Sequence, residues 1–266
     1  MGLNWIARRS ICFLRLIAIP LLLWSCEEKI EVALKSENSK IVIESYITNS
    51  QNPIIVKLSK SQEFFNQSAF VPIESASVQI ETQSITDQLS DDGGGYYISK
   101  RMEGMPGKDY TLIVATDGRQ FGATVQVPYN VPIDTVYFQP GVFEKDSLNA
   151  IIGFRDPPNT ENYYRIKIYC NRKVAINDYF LITDAFSDGA EMVVPIYYRY
   201  FAPGDTIAVE LLNLERNTWK YFKGLRESIQ QGINSQAPGN PPSNLSNGAL
   251  GIFGAYSSTT WLGIVP

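Results

Sequence analysis

The chain contains no histidine. That absence excludes every mechanism that rests on imidazole: Ser-His-Asp and Cys-His nucleophiles, histidine-bound zinc and a histidine pH switch. Cysteine is nearly as scarce, with three in 266 residues, so no dense disulfide framework can hold the fold together. Charged residues make up only 19% against 44% hydrophobic, a balance that buries a core and excludes a disordered chain. What is abundant is aromatic: 12% of the chain, with 15 tyrosines, which favours strands over helices. At about 100–200 residues per domain, the length suits one large or two ordinary domains.

Residues 1–25 read as an export leader. Arg8 and Arg9 supply a positive start, and Ile11 to Trp24 form an apolar stretch broken by Arg15 and Pro20, too short and interrupted for a membrane span. The stretch ends in Leu22-Leu23-Trp24-Ser25-Cys26, which resembles a bacterial lipobox, where the cysteine is diacylated and becomes the new N-terminus. Leu23 and Ser25 fit that pattern, and Trp24 is bulkier than it prefers. The competing reading is an ordinary signal peptide with a chance cysteine.

With Cys12 in the leader and Cys26 lipidated, Cys170 remains alone and cannot form an internal disulfide. It shares one side of an alternation with Tyr164, Ile166 and Ile168, as a small buried hydrophobe would. Removing residues 1–25 takes away three arginines and no acids, lowering the basic count from 23 to 20 against 27 acidic residues and moving the net charge from −4 to −7. That balance argues against nucleic acid as a partner. Residues 26–39, opening on Glu27-Glu28-Lys29, read as a polar tether that lets the folded part stand off a bilayer held by acyl chains on Cys26.

From 40 to 128, six short segments carry alternation or β-branched and aromatic enrichment, the clearest being Tyr110/Leu112/Val114 and Phe121/Ala123/Val125/Val127. Asp91-Asp92-Gly93-Gly94-Gly95, Met105-Pro106-Gly107-Lys108 and Asp117-Gly118 mark turns between them. Tyr110, entering a strand after a Pro-Gly turn, resembles a tyrosine corner. Val127-Pro128 and Val131-Pro132 punctuate the chain, and strand signals resume over 129–266. The expectation is all-β: two antiparallel β-sandwich domains of immunoglobulin type. The second carries one inserted helix near 218–231, with Thr218 as N-cap, Trp219, Phe222, Leu225 and Ile229 on one face, and Gly232 as its stop. A polar Pro/Asn/Ser loop follows from Ser235 to Gly248, then a strand from Ala249 to about Ser257 and another over Thr260 to Val265. Gly248, Gly251 and Gly254 read as places where a backbone or ring packs closely.

Several segments together resemble one family, the outer-membrane lipoproteins of the Bacteroidetes built on a domain of unknown function. They are Ile41 to Asn49, Val56 to Ser61, Gly95-Tyr96-Tyr97, Pro106-Gly107 to Tyr110-Thr111-Leu112, Asp156-Pro157 with Asn162-Tyr163-Tyr164, and Pro241-Pro242-Ser243-Asn244 leading to Gly248 through Tyr256. No single piece is specific; their order and spacing are. Ser45 departs from a more usual Gly, and Ile252 from a common aromatic. The resemblance implies anchorage in the outer membrane and an accessory role beside a TonB-dependent β-barrel receptor. The acidic residues after Cys26 are similar to a surface-transport signal of such lipoproteins. No active site, cofactor or metal comes with it.

Paired carboxylates, as in glycoside hydrolysis, are the one catalytic device the composition leaves open, yet no acidic residue sits in a motif that nominates it. The acidic turns Asp87 to Asp92 and Asp184 to Asp188 offer oxygen ligands without the spacing of a calcium loop. For partner binding the candidates are Tyr163, Tyr179, Tyr198 and Tyr200, one ring of each aromatic doublet turning outward, and Asn244 in the polar loop. Packing under a loop or across a strand is the alternative for each ring. Thr135, Ser147 and Thr206 follow aspartates in tripeptides that resemble the O-glycosylation acceptor of the same bacteria, and such tripeptides also simply start strands after turns. The functional expectation is a non-enzymatic, surface-facing lipoprotein serving an uptake system. A free-standing adhesin or glycan-binding lipoprotein comes second, and a two-carboxylate hydrolase third.

Overall fold

The computed structural model describes residues 39–61, 71–141, 147–175, 179–233 and 239–266; Cys26 and the tether lie outside them. The first half forms nine strands: β1 Ile41–Thr48, β2 Ile55–Lys60, β3 Val71–Pro72, β4 Ser77–Glu81, β5 Thr86–Gln88, β6 Ser90–Asp91, β7 Tyr96–Ile98, β8 Asp109–Thr116 and β9 Arg119–Gln126. The second adds β10 Thr135–Pro140, β11 Leu148–Arg155, β12 Tyr163–Cys170, β13 Lys173–Val174, β14 Phe180–Thr183, β15 Glu191–Phe201 and β16 Thr206–Leu214. Helix α1, Arg216–Ile233, a single 3₁₀ turn at Ser246–Gly248 and strand β17, Leu250–Ile264, complete it. The molecule is all-β with sandwich-type layering, as expected, and α1 is the one α-helix among the described residues.

Three sheets carry these strands. The largest runs β13-β12-β16-β17-β1-β2-β7-β6, with β14 also on β12 and β3 also on β2; smaller sheets are β10-β11-β15 and β5-β4-β8-β9. Where sequence patterning reads two strands after Gly248, the structure has one of 15 residues. Its first part pairs with β1 from Val42↔Leu250 to Thr48↔Tyr256, and its second pairs with β16 from Leu214↔Tyr256 to Thr206↔Ile264. The β1 pairing is parallel, which local patterning cannot foresee because parallel neighbours are joined by long crossovers.

The punctuation at Pro128 and Pro132 separates hydrophobic cores rather than sheets. One core gathers Ile43, Leu58, Tyr97, Leu112 and Phe121, and takes Leu245, Phe253 and Ala255 from the far end of the chain. The other gathers Phe154, Tyr164, Ile168, Phe201 and Val209, with Cys170 buried among them. A third, under the helix, contains Leu212, Leu214, Tyr221, Phe222 and Ile252. Strand β17 feeds all three.

Two glycines explain how β17 lies so close to its neighbours. At Gly251, with φ +91°, a Cβ would sit 2.1 Å from the Ile43 carbonyl oxygen; at Gly254 it would meet the Tyr46 ring and the Thr218 hydroxyl, both at 2.8 Å. Gly248 differs from its expected role: nothing lies within 4 Å, and it serves a turn. The Tyr110 corner is present, its hydroxyl donating to the Glu103 carbonyl at 2.8 Å and accepting from the Met105 amide at 2.9 Å.

The helix begins two residues earlier than expected, and Thr218 is not its cap. The Glu215 carboxylate accepts from the Asn217 and Thr218 amides at 2.9 and 3.1 Å, an anion at the positive end of the helix. Thr218, fully buried, instead accepts from the Ala255 amide of β17 at 2.9 Å. Ile229, expected on the packed face, is 55% exposed, while Tyr221 and Phe222 are buried. Gly224 sits mid-helix because Pro241 and Pro242 cross it there, leaving no room for a side chain.

Candidate functional site

Strand β12 alternates strictly. Tyr164, Ile166, Ile168 and Cys170 face the core, and Tyr163, Arg165, Lys167 and Tyr169 face the other way, half-buried. The register extends that outer face across the sheet, through Leu212 opposite Arg165 and Leu214 opposite Tyr163, then Tyr256 on β17 and Tyr46 on β1. Helix α1 lies over these strands. Phe222 stacks on Tyr46 at 5.8 Å between centroids and on Tyr179 at 5.3 Å; Trp219 meets Tyr163 at 5.0 Å.

Arg165 sits inside this aromatic seam. Its guanidinium carbon is 4.2 Å from the Tyr179 ring centroid and 4.8 Å from that of Phe222. Such contacts contribute about 0.5–2 kcal/mol. Against them stands its Nε, buried without a hydrogen-bond partner among the described residues, at a cost on the order of 1–3 kcal/mol. The nearby Glu210 carboxylate is already taken by Lys167 at 3.3 Å. Arg165 has no ion pair among the described residues. Burial pulls its pKa below the usual arginine range.

Three of the surrounding phenols, Tyr46, Tyr221 and Tyr256, are held protonated. Burial, then the Tyr221 and Glu44 charges, pushes Tyr46 far above the usual tyrosine range; burial with Glu44 pushes Tyr221 up to about 12; burial with Glu210 raises Tyr256. The structural tyrosines offer a contrast, because their hydroxyls are committed: Tyr97 to the Ile73 carbonyl, Tyr110 to Glu103 and Tyr164 to Asp156. Among the described residues the hydroxyls of Tyr46, Tyr179, Tyr221 and Tyr256 have no such partner. The seam therefore presents hydrogen-bond donors around Arg165, and a groove of about 430 Å³ lies against Tyr46 and Tyr256.

Tyr163 and Tyr179 are thus brought together under α1, each stacked on a helix aromatic rather than free on the surface. Tyr200 is half-buried on β15; the Tyr198 side chain lies outside the described residues. Asn244 clasps β17, donating to the Phe253 carbonyl at 2.8 Å and accepting its amide at 3.2 Å. The described part of its loop is tied down as well: the Ser246 hydroxyl accepts from the Gly122 amide, and Asn247 donates to the Gln120 carbonyl. Thr135 and Thr206 are exposed at the first positions of β10 and β16, and half-buried Ser147 immediately precedes β11. Sequence reasoning missed Arg165, Tyr46 and Tyr256. The available signal was a charged residue flanked by outward tyrosines in Tyr163-Tyr164-Arg165-Ile166-Lys167-Ile168-Tyr169.

A second cluster lies at the Asp184–Asp188 turn. Carboxylate oxygens of Asp156, Asp184 and Asp188 lie within 4.8 Å of one another, the first two buried. They are used to hold loops: Asp156 accepts from the Tyr164 hydroxyl and the Gly189 amide, Asp184 from the Asn162 amide at 2.8 Å, and Asp188 from the Asn159 amide at 3.2 Å. Elsewhere, a cleft of about 1030 Å³ opens at one end of the first core, between the 82–85 and 98–110 loops.

A family profile matches residues 27–261, most of the chain. The protein belongs to the family described as Domain of unknown function (DUF4249). The match takes in both main cores, α1 and nearly all of β17, so the Arg165 seam is part of the DUF4249 domain itself. A search of curated proteins returns no match.

Proposed function

We propose that this DUF4249 protein is a non-enzymatic binding lipoprotein of the outer membrane, facing the cell surface, that serves a TonB-dependent uptake system. Acyl chains on Cys26 hold it to the bilayer, and the polar residues after it space the β unit from the membrane. The observation that carries this reading is the Leu22-Leu23-Trp24-Ser25-Cys26 sequence, with the family match beginning at the next residue, Glu27. The compact unit that follows begins at Asn38, and no helix among the described residues is long and apolar enough to cross a membrane. An acyl anchor supplies attachment without one. The test is labelling with a palmitate analogue in the native host: wild type incorporates it, Cys26→Ala does not, and protease added to intact cells removes the folded unit. An unlabelled wild-type chain, or one protected from protease, overturns this placement.

A further inference from the structure

We propose that the seam between α1 and the large sheet is a binding site for a carboxylate-bearing small ligand, with Arg165 as the residue that recognises the charge. Four observations meet there. The guanidinium is half-buried and lies over the Tyr179 and Phe222 rings, so its donors are presented from its edge. Its Nε is buried with no hydrogen-bond partner among the described residues. The neighbouring acid, Glu210, is paired with Lys167. Finally, Tyr179 lies directly against the guanidinium, Tyr46 and Tyr256 continue the same aromatic contact network through Phe222, and none of their three hydroxyls has a hydrogen-bond partner among the described residues.

A fold that needed only packing at position 165 would be served by an apolar side chain, since a desolvated cation without a direct ion pair opposes folding. A guanidinium edge ringed by neutral phenols matches a planar carboxylate: two parallel N–H donors to its oxygens, with phenol O–H donors for the remaining lone pairs. Burial raises the pKa of Tyr46 and of Tyr256, so these two phenols donate to an anion rather than repel it. The aromatic faces then bear on the body of the ligand. This inference stands on the seam alone and does not depend on lipidation or on a transporter.

The experiment compares the full chain with its Arg165→Met and Tyr256→Phe variants. Acetate and inorganic phosphate are titrated at constant ionic strength against chloride, with thermal unfolding and calorimetry as readouts. Acetate should stabilise the wild type saturably, more strongly than phosphate. Arg165→Met should keep its unfolding temperature in chloride, or raise it, and weaken acetate binding at least tenfold. Tyr256→Phe, which keeps the ring, should weaken binding several-fold with little change in chloride. Acetate acting only as chloride does, an undiminished response in Arg165→Met, or a preference for phosphate would each overturn the proposal. A purely structural arginine would instead leave Arg165→Met destabilised in chloride, with no anion response to lose.

Discussion

Buried tyrosines set the behaviour of this protein at single positions. Tyr164 is fully buried and donates to Asp156, which also accepts the Gly189 amide. Tyr164→Phe leaves that carboxylate oxygen buried without its donor, so equilibrium urea unfolding should show a loss of about 1–3 kcal/mol. Raised phenol pKa values add a pH dependence. Tyr221 titrates at about 12 in the folded chain, and Tyr46 and Tyr256 are raised as well, while an unfolded phenol titrates near 10. Their contribution is complete below pH ~10. Above it the unfolded chain releases protons that the folded chain retains, so stability falls as pH climbs from about 10 to 12. Urea midpoints across that range should decline, and Tyr221→Phe should flatten the slope. At this scale the sequence was informative about inward residues: the Tyr164/Ile166/Ile168/Cys170 side of β12 and the Tyr110 corner follow from alternation and turn chemistry. It was silent on Arg165, because alternation says which way a side chain points and nothing about what covers it.

Among the elements, α1 and β17 show where local patterning stops being sufficient. Glu215 and Thr218 are both residue types that cap helices, and only the tertiary position of β17, whose Ala255 amide claims the Thr218 hydroxyl, decides between them. Glu215→Ala should therefore cost about 0.5–2 kcal/mol in urea unfolding, with Glu215→Gln recovering part of the loss because it keeps an acceptor oxygen. The run Ser257-Ser258-Thr259-Thr260 interrupts the apolar pattern and reads as a break, yet its register with β16 is continuous from Leu214↔Tyr256 to Thr206↔Ile264. Gly254 of β17 lies close under α1: its missing Cβ makes room for Thr218 of the helix and for the Tyr46 ring of β1. Gly254→Ala should destabilise by about 1–3 kcal/mol, the usual cost of overpacking, and should do so without altering the Glu215 cap.

The first and last strands of the folded unit lie side by side, and Phe253, Ala255 and Leu245 complete the core of the first half. The chain should accordingly unfold in one transition reported alike by tyrosine absorbance and far-ultraviolet circular dichroism, whereas independently folding halves would give two. Patterning made the strands and the proline punctuation legible, but the join between β1 and β17 at the middle of the large sheet pairs residues some two hundred positions apart, beyond the reach of any local signal. The proposed uptake role adds one requirement, that this unit meet a receptor in the plane of the membrane. Co-purification addresses that role most directly. Tagged wild-type protein solubilised from native outer membranes in mild detergent should bring with it, in mass spectrometry, an abundant TonB-dependent β-barrel receptor that is lost with Cys26→Ala; recovery of the lipoprotein alone would contradict the account.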